Sequence, residues 1–352
     1  MTESRPPAPT ADGRTGPTHR TFRSMLFGLA VGVVFLVLTS WSVDWQRVAE
    51  SLAAARLELL VPVALLLVLH YFIKALRWRV LLSGTVSVGP LLAMRLTMVG
   101  FFMNNILPAR IGELGRPYLL SANRPEVSFP FALATVVGDK LFDLLLNILT
   151  LLCLSFLLPL PPHARWGILA LVAAGAGLIA ASLAAAVLEK REREGDSSRL
   201  LERLLAPLGT RREGARAALL GFARGLATAS SASRAFAALG LSAVAFAALG
   251  GAVYLMLDMM NLAPSLLTTA AVIGLGGIGF MLPAPPTNAG NFHFFAAAAL
   301  TVSKTAGADD AFSFAVMAHA TQVVVVTALG AVSLVGLDWR RLSRLRELRN
   351  PE

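Results

Sequence analysis

Arg110, Glu113 and Arg116 recur at intervals of three within Asn104-Asn105-Ile106-Leu107-Pro108-Ala109-Arg110-Ile111-Gly112-Glu113-Leu114-Gly115-Arg116. A short helix starting near Ile111 would set them on one face. Two guanidinium groups around one carboxylate leave an excess positive charge, and the planar guanidinium fork grips phosphate oxygens two at a time. The trio therefore reads as a lipid headgroup site. Arg110 and Arg116 would draw the phosphate, and Glu113 would orient them or bind an amine. A salt-bridge cluster that only seats the loop would have the same sequence.

Arg95 lies in the apolar run Leu91 to Leu107 without a neighbouring acid. An ionisable group in hydrocarbon has to face the protein interior and find a partner there. Asp139 and Asp143 are its expected partners. They stand four apart with Asn147 one turn further, a polar stripe on a single helix face. Arg95, Asp139, Asp143 and Asn147 are thus expected to line or gate a path, or else to form a structural ion-pair network. Lys140 would flank them.

A second polar break reads Leu282-Pro283-Ala284-Pro285-Pro286-Thr287-Asn288-Ala289-Gly290-Asn291-Phe292-His293. Pro283, Pro285 and Pro286 remove backbone donors and bar a continuous helix, and Gly290 admits unusual backbone angles. Pro108 and Gly112 do the same in the first segment. Asn288, Asn291 and His293, with Thr287, offer neutral hydrogen bonds to a headgroup. His293, like His70 and His319, is more often a packed, hydrogen-bonded ring than a proton carrier.

The usual marks of catalysis are missing: no G-x-S-x-G, P-loop, H-E-x-x-H or strand-linked G-x-G-x-x-G occurs. The run Gly274-Leu275-Gly276-Gly277-Ile278-Gly279 reads as close helix packing. No ligand set for a metal stands out, no cofactor is implied, and the single Cys153 cannot form an internal disulfide.

Irregular backbone inside apolar sequence is tolerated in a bilayer only where protein or a water-filled cavity covers it. The elements that must provide that cover are the apolar runs Met25 to Trp41, Leu57 to Ile73, Phe131 to Leu158, Gly167 to Leu188, Ala235 to Leu257 and Ala311 to Leu337. Hydrophobic residues are 56% of the 352 and charged ones 15%, which exceeds what a soluble core needs. The fold class is therefore all-α and polytopic, with about six full spans.

The net charge of +10 sits in tails and connections rather than on a folded domain, which points to anionic lipid headgroups and excludes nucleic acid as partner. Basic clusters near Arg5 to Arg23, Lys74 to Arg79, Lys190 to Arg234 and Arg340 to Arg349 place both termini in the cytoplasm. Two full spans lie between successive clusters, so each interrupted region, Leu91 to Leu120 and Ser265 to Thr301, crosses an even number of times. Each is expected to be a re-entrant hairpin, the first entering from the cytoplasm and the second from outside. Such inverted hairpins mark transporter sites near the midplane. A shift of 175 residues lays Leu107, Pro108, Ala109 and Gly115 on Leu282, Pro283, Ala284 and Gly290, so an inverted repeat is a candidate. Residues 1–24 read as a disordered cytoplasmic tail, 25–337 as the transmembrane domain with a basic connection at 189–234, and 338–352 as a basic tail.

At Arg77-Trp78-Arg79, at Asn105 to Glu113 with Arg116, at Asp139-Lys140 and Asp143, and at the proline-rich break, the chain resembles the lysylphosphatidylglycerol synthase transmembrane-region family. The resemblance spans roughly 25 to 337 and implies a flippase-like protein of the bacterial inner membrane. Thr287, Asn288 and His293 stand where the family usually has Pro-Gly-Gly-x-Gly followed by glutamate, so the family's substrate does not carry over with the motif. Fifteen residues follow Leu337. The aminoacyl-transferase domain that some members of the family carry is therefore not expected here, a separate lipid-modifying enzyme is an implied partner, and the oligomeric state stays open. The expected function is movement of a phospholipid or lipid-linked headgroup between leaflets. The alternatives are an intramembrane lipid-phosphate transferase with Asp139 or Asp143 as base, or a scaffold subunit.

Overall fold

A computed structural model describes residues 19–41, 43–107, 110–158, 160, 162–194, 207, 212–228, 231–282 and 285–335. Pro108, Pro283 and most of both expected tails lie outside these residues. Among the described residues there is no strand and there are twelve α-helices: α1 His19–Ser40, α2 Trp45–Ala53, α3 Leu60–Leu82, α4 Pro90–Ile106, α5 Gly112–Asn123, α6 Phe129–Leu157, α7 Pro162–Arg193, α8 Arg212–Ala227, α9 Ala232–Met259, α10 Leu266–Gly279, α11 Asn291–Val302 and α12 Ala308–Val335.

Among the described residues, five helices are long and apolar enough to cross a bilayer: α3 (with the turn at Leu57–Leu59), α6, α7, α9 and α12. The first expected span passes the same test only as a pair, Leu29–Ser40 with Trp45–Ala53, bent by 89°. The bend has a local cause. The Asp44 side chain accepts from the amides of Gln46 and Arg47 and so starts α2 as a new helix. Residues 19–24, assigned above to a disordered tail, are the first turns of α1, since no proline or glycine between Thr18 and Met25 stops the helix. The basic connection is not a bare link either, because α8 packs on α6 and α7.

Both interrupted regions are antiparallel helix pairs. In the first, Gly100, Met103 and Asn104 of α4 face Arg116, Gly115 and Gly112 of α5. In the second, the Thr268 hydroxyl meets that of Thr305 at 2.6 Å, while Gly276 and Gly279 lie against Phe292 and Asn291. With 17, 12, 14 and 12 residues, these arms are each shorter than the roughly 20 residues a crossing needs.

The two halves of the chain repeat this plan. Adding 175 to the bounds of α3, α4 and α6 gives 235–257, 265–281 and 304–332, against Ala232–Met259, Leu266–Gly279 and Ala308–Val335 observed. The packing repeats with its partners exchanged: α4 lies on α12 and α10 on α6, while α2 lies on α12 and α8 on α6. Among the described residues, the equivalent helices α3 and α9 form the most extensive contact. Along it, Leu66, His70 and Arg77 meet Gly251, Ala245 and Ser242. Rising numbers on one helix against falling numbers on the other mean that α3 and α9 run antiparallel, so the two halves are inverted with respect to each other. His70 and Ala245, 175 positions apart and joined by a 2.7 Å hydrogen bond from Nδ1 to the carbonyl, mark where the pseudo-two-fold axis passes.

Candidate functional site

Each helix pair turns through backbone that few side chains tolerate. Leu107 leaves α4 in an extended conformation (φ −97°, ψ 142°) because the following proline disfavours the helical one. Arg110 then adopts φ 54°, and in the second turn Thr287, Asn288 and Gly290 adopt 63°, 61° and 85°. A left-handed non-glycine residue stores about 1–3 kcal/mol of strain and persists only where its surroundings hold it. Here the surroundings include the other turn, for the Arg110 guanidinium donates from Nη2 to Asn288 Oδ1 at 3.0 Å. The two breaks therefore meet tip to tip.

They meet at the edge of a cavity of about 680 Å³. Lys74, Asn104, Arg110, Glu113, Lys140, Asp143, Asn147, Asn288 and Gln322 supply its polar lining, and α3, α6, α7, α9, α10 and α12 supply apolar walls. Lys140 Nζ reaches Glu113 Oε1 at 2.7 Å, while Arg110 stands 3.9 Å from that oxygen. The carboxylate is thus shared, with lysine as the closer partner. Glu113 occupies the first turn of α5, where the helix dipole favours an anion.

A layer of charge reaches from the cavity lining, at Lys74 and Asp143, into the protein behind it. Arg77, 1% exposed, donates from Nε to Asp139 Oδ1 and from Nη1 to Asp143 Oδ1, both at 2.8 Å, and from Nη1 to Ser242 Oγ at 2.9 Å. Lys74 Nζ holds the other oxygen of Asp143 at 2.8 Å, and Arg116 Nη1 the other oxygen of Asp139 at 3.1 Å. The Arg116 guanidinium also stacks 3.8 Å from the Trp78 ring, whose Nε1 donates to Thr135 Oγ1 at 3.2 Å. Every carboxylate oxygen of this layer has a cationic partner. Counting Arg110, Glu113 and Lys140, five cations face three carboxylates, an excess of two positive charges beside an apolar cavity.

Of the expected headgroup residues, the structure brings Arg110, Glu113 and Asn288 to the cavity and leaves Arg116, Asn291 and His293 off its lining. Arg116 does not share a face with Arg110, because Arg110 precedes the helix in a left-handed turn. Asn291 is fully buried against Gly279. His293 Nδ1 accepts from the Gly290 amide at 3.2 Å and its ring stands edge-on to His319 at 4.7 Å. His319 in turn donates from Nε2 to the Thr287 carbonyl at 2.8 Å. These rings hold the second turn in shape.

Of the expected gating residues, Asp143 and Asn147 line the cavity, whereas Asp139 and Arg95 do not. The partners of Asp139 and Asp143 are Arg77, Arg116 and Lys74, in place of the Arg95 expected from the sequence. Arg77 had the look of an interfacial anchor, being one of three basic residues at the end of a span. The ring beside it is Phe142 of α6, 5.9 Å away, and nothing local in the sequence marks Arg77 as buried. Among the expected backbone breaks, Gly112, Pro285, Pro286 and Gly290 all fall in the two turns or at their edges. No group of three or more His, Cys, Asp or Glu able to hold a metal ion occurs among the described residues.

No curated protein and no solved structure matches the chain. The family described as Lysylphosphatidylglycerol synthase TM region matches residues 25–330, a stretch that contains both turns, the buried ion layer and all but the last residues of the repeat. The chain is a multi-pass membrane protein and belongs to the lysylphosphatidylglycerol synthase TM region family.

Proposed function

We propose that this protein moves a lipid with a phosphate-bearing headgroup between the leaflets of the bacterial inner membrane, with both termini on the cytoplasmic side. The observation that carries the reading is Arg110. It lines the cavity where the two turns meet, its hydrogen bond goes to a neutral amide, and its nearest carboxylate is 3.9 Å away and closer to Lys140. Such a guanidinium keeps donors for an incoming anion. Inverted repeats with discontinuous helices at their interface are the architecture in which membrane transporters place substrate.

The transferase alternative draws less support from the geometry. Asp139 is 2% exposed and off the cavity, and both oxygens of Asp143 are engaged by Lys74 and Arg77. A general base has to reach the proton it removes with a free lone pair.

The test is leaflet exchange of headgroup-labelled phospholipids in sealed proteoliposomes. Arg110→Ala is expected to slow exchange by about 10- to 100-fold, the kinetic equivalent of one charged hydrogen bond. Arg110→Lys should recover only part of the rate, since an ammonium cannot bind two phosphate oxygens in a fork. A folded Arg110→Ala protein that exchanges lipid at the wild-type rate would remove the site from the mechanism.

A further inference from the structure

A cavity of about 680 Å³ is of the size that encloses a drug-sized ligand. It holds a headgroup and its first methylenes but not two whole acyl chains, so an amphipathic occupant has to leave its chains outside. The lining indicates where. Leu171 and Leu178 of α7 and Phe246 and Leu249 of α9 all contribute to the wall. Leu171 and Leu178 are 36% and 50% exposed, and Leu183 and Val187, on the same helix but off the cavity lining, are exposed as well, so α7 carries apolar surface that continues beyond the cavity.

Helix α7 packs on α6 and α8, and α9 packs on α3, α10, α6 and α12; among the described residues α6 touches both α7 and α9, which share no packed face of their own. Of the five long apolar helices, α7 is also the least enclosed, with 11% of its most apolar stretch buried against 33% for α9. The polar side of the cavity adds a second observation. Asn147, 5% exposed, lines it with an Nδ2 that has no protein partner, a buried donor free for a headgroup or ester oxygen.

We propose that the gap between α7 and α9 is a lateral portal: the acyl chains of a phosphate-bearing lipid stay in the bilayer through it while the headgroup lies beside Arg110 and Asn147. The proposal rests on the lipid reading above and fixes the side from which the lipid enters. The cavity-lining residues that α7 and α9 contribute are all apolar, so a chain entering between them would desolvate no charge.

The experiment uses the full chain in lipid nanodiscs with a phosphatidylglycerol analogue carrying a diazirine near the end of one acyl chain. Photolabelling is expected at Phe246 and Leu249. It should fall about tenfold in Arg110→Ala, which loses the headgroup contact, while labelling of the exposed Leu183 stays constant. In proteoliposomes, a Cys153→Ser background with Leu178→Cys carrying a bulky maleimide should exchange lipid about tenfold more slowly, and the same adduct at Leu183→Cys should not. Labelling that ignores Arg110, with exchange retained when Leu178 is blocked, overturns the portal and leaves translocation standing. Arg110-dependent labelling at Phe246 with no exchange by the wild type does the reverse.

Discussion

Arg77→Ala should lower stability by about 3–5 kcal/mol, the range seen when one partner of a buried ion pair is removed and the other is left uncompensated. The size follows from position. Arg77 is 1% exposed, bridges Asp139 and Asp143 on α6 and ties both to Ser242 on α9. Its loss leaves Asp139 with Arg116 alone and Asp143 with Lys74 alone. Thermal unfolding of the detergent-purified protein reads the effect directly. The triple variant Arg77→Met, Asp139→Leu and Arg116→Met removes charges of both signs without stranding Arg116, whose carboxylate partner is Asp139, and should be milder than the single change, because apolar packing often replaces a buried ion group at little cost. A melting temperature within about 2 °C of wild type for Arg77→Ala would show that the layer is solvated in the membrane rather than sealed.

Gly290→Ala should disable the second turn. The residue sits at φ 85°, which costs an L-residue about 1–2 kcal/mol. Its new methyl would also collide with the Gly32 carbonyl of α1, an overlap with backbone that cannot rotate away. Overpacking of that kind adds about 1–3 kcal/mol. Relief would come from moving α1 or unwinding the turn, and either pulls Asn288 from Arg110. Exchange should therefore fall in this variant although residue 290 does not line the cavity. Gly240→Ala, in α9 with nothing within 4 Å of the new methyl, is the control and should be neutral or slightly stabilising. Equal melting temperatures for the two variants would mean that α1 does not hold the turn.

The plan of the fold was legible because hydrocarbon imposes simple rules. Apolar runs of the required length marked α3, α6, α7, α9 and α12, and the parity of charged clusters showed that 91–120 and 265–301 fold back on themselves. The tips of those pairs, with their prolines and glycines, were visible for the same reason. Which charges face the cavity was not visible, since that depends on partners far away in sequence. Asp139 lies 62 positions from Arg77, and Asn288 lies 178 from Arg110. Spacing placed Arg116 beside Arg110, but a left-handed residue at 110 turns the two apart, and no local pattern announces it. Lys74 and Arg77 were read as surface anchors because a basic residue near the end of a span usually is one. His293 and Asn291 carry polar groups in a polar break, yet both serve the backbone of their own turn.

The inverted halves have equal shapes and unequal charges. A shift of 175 carries Lys74, Arg77, Arg110, Glu113, Asp139, Lys140, Asp143 and Arg116 onto Leu249, Ala252, Pro285, Asn288, Phe314, Ala315, Ala318 and Asn291. Because α3 and α9 cross the bilayer antiparallel, the axis relating the halves lies in its plane, and exchanging their conformations would turn an opening on one face into an opening on the other. Backbone symmetry alone would make those two states equal in energy. The ion layer occupies these positions in one half only, so charge would break that equality. In a transporter of the proposed kind the resting direction would then be set by electrostatic bias rather than by architecture.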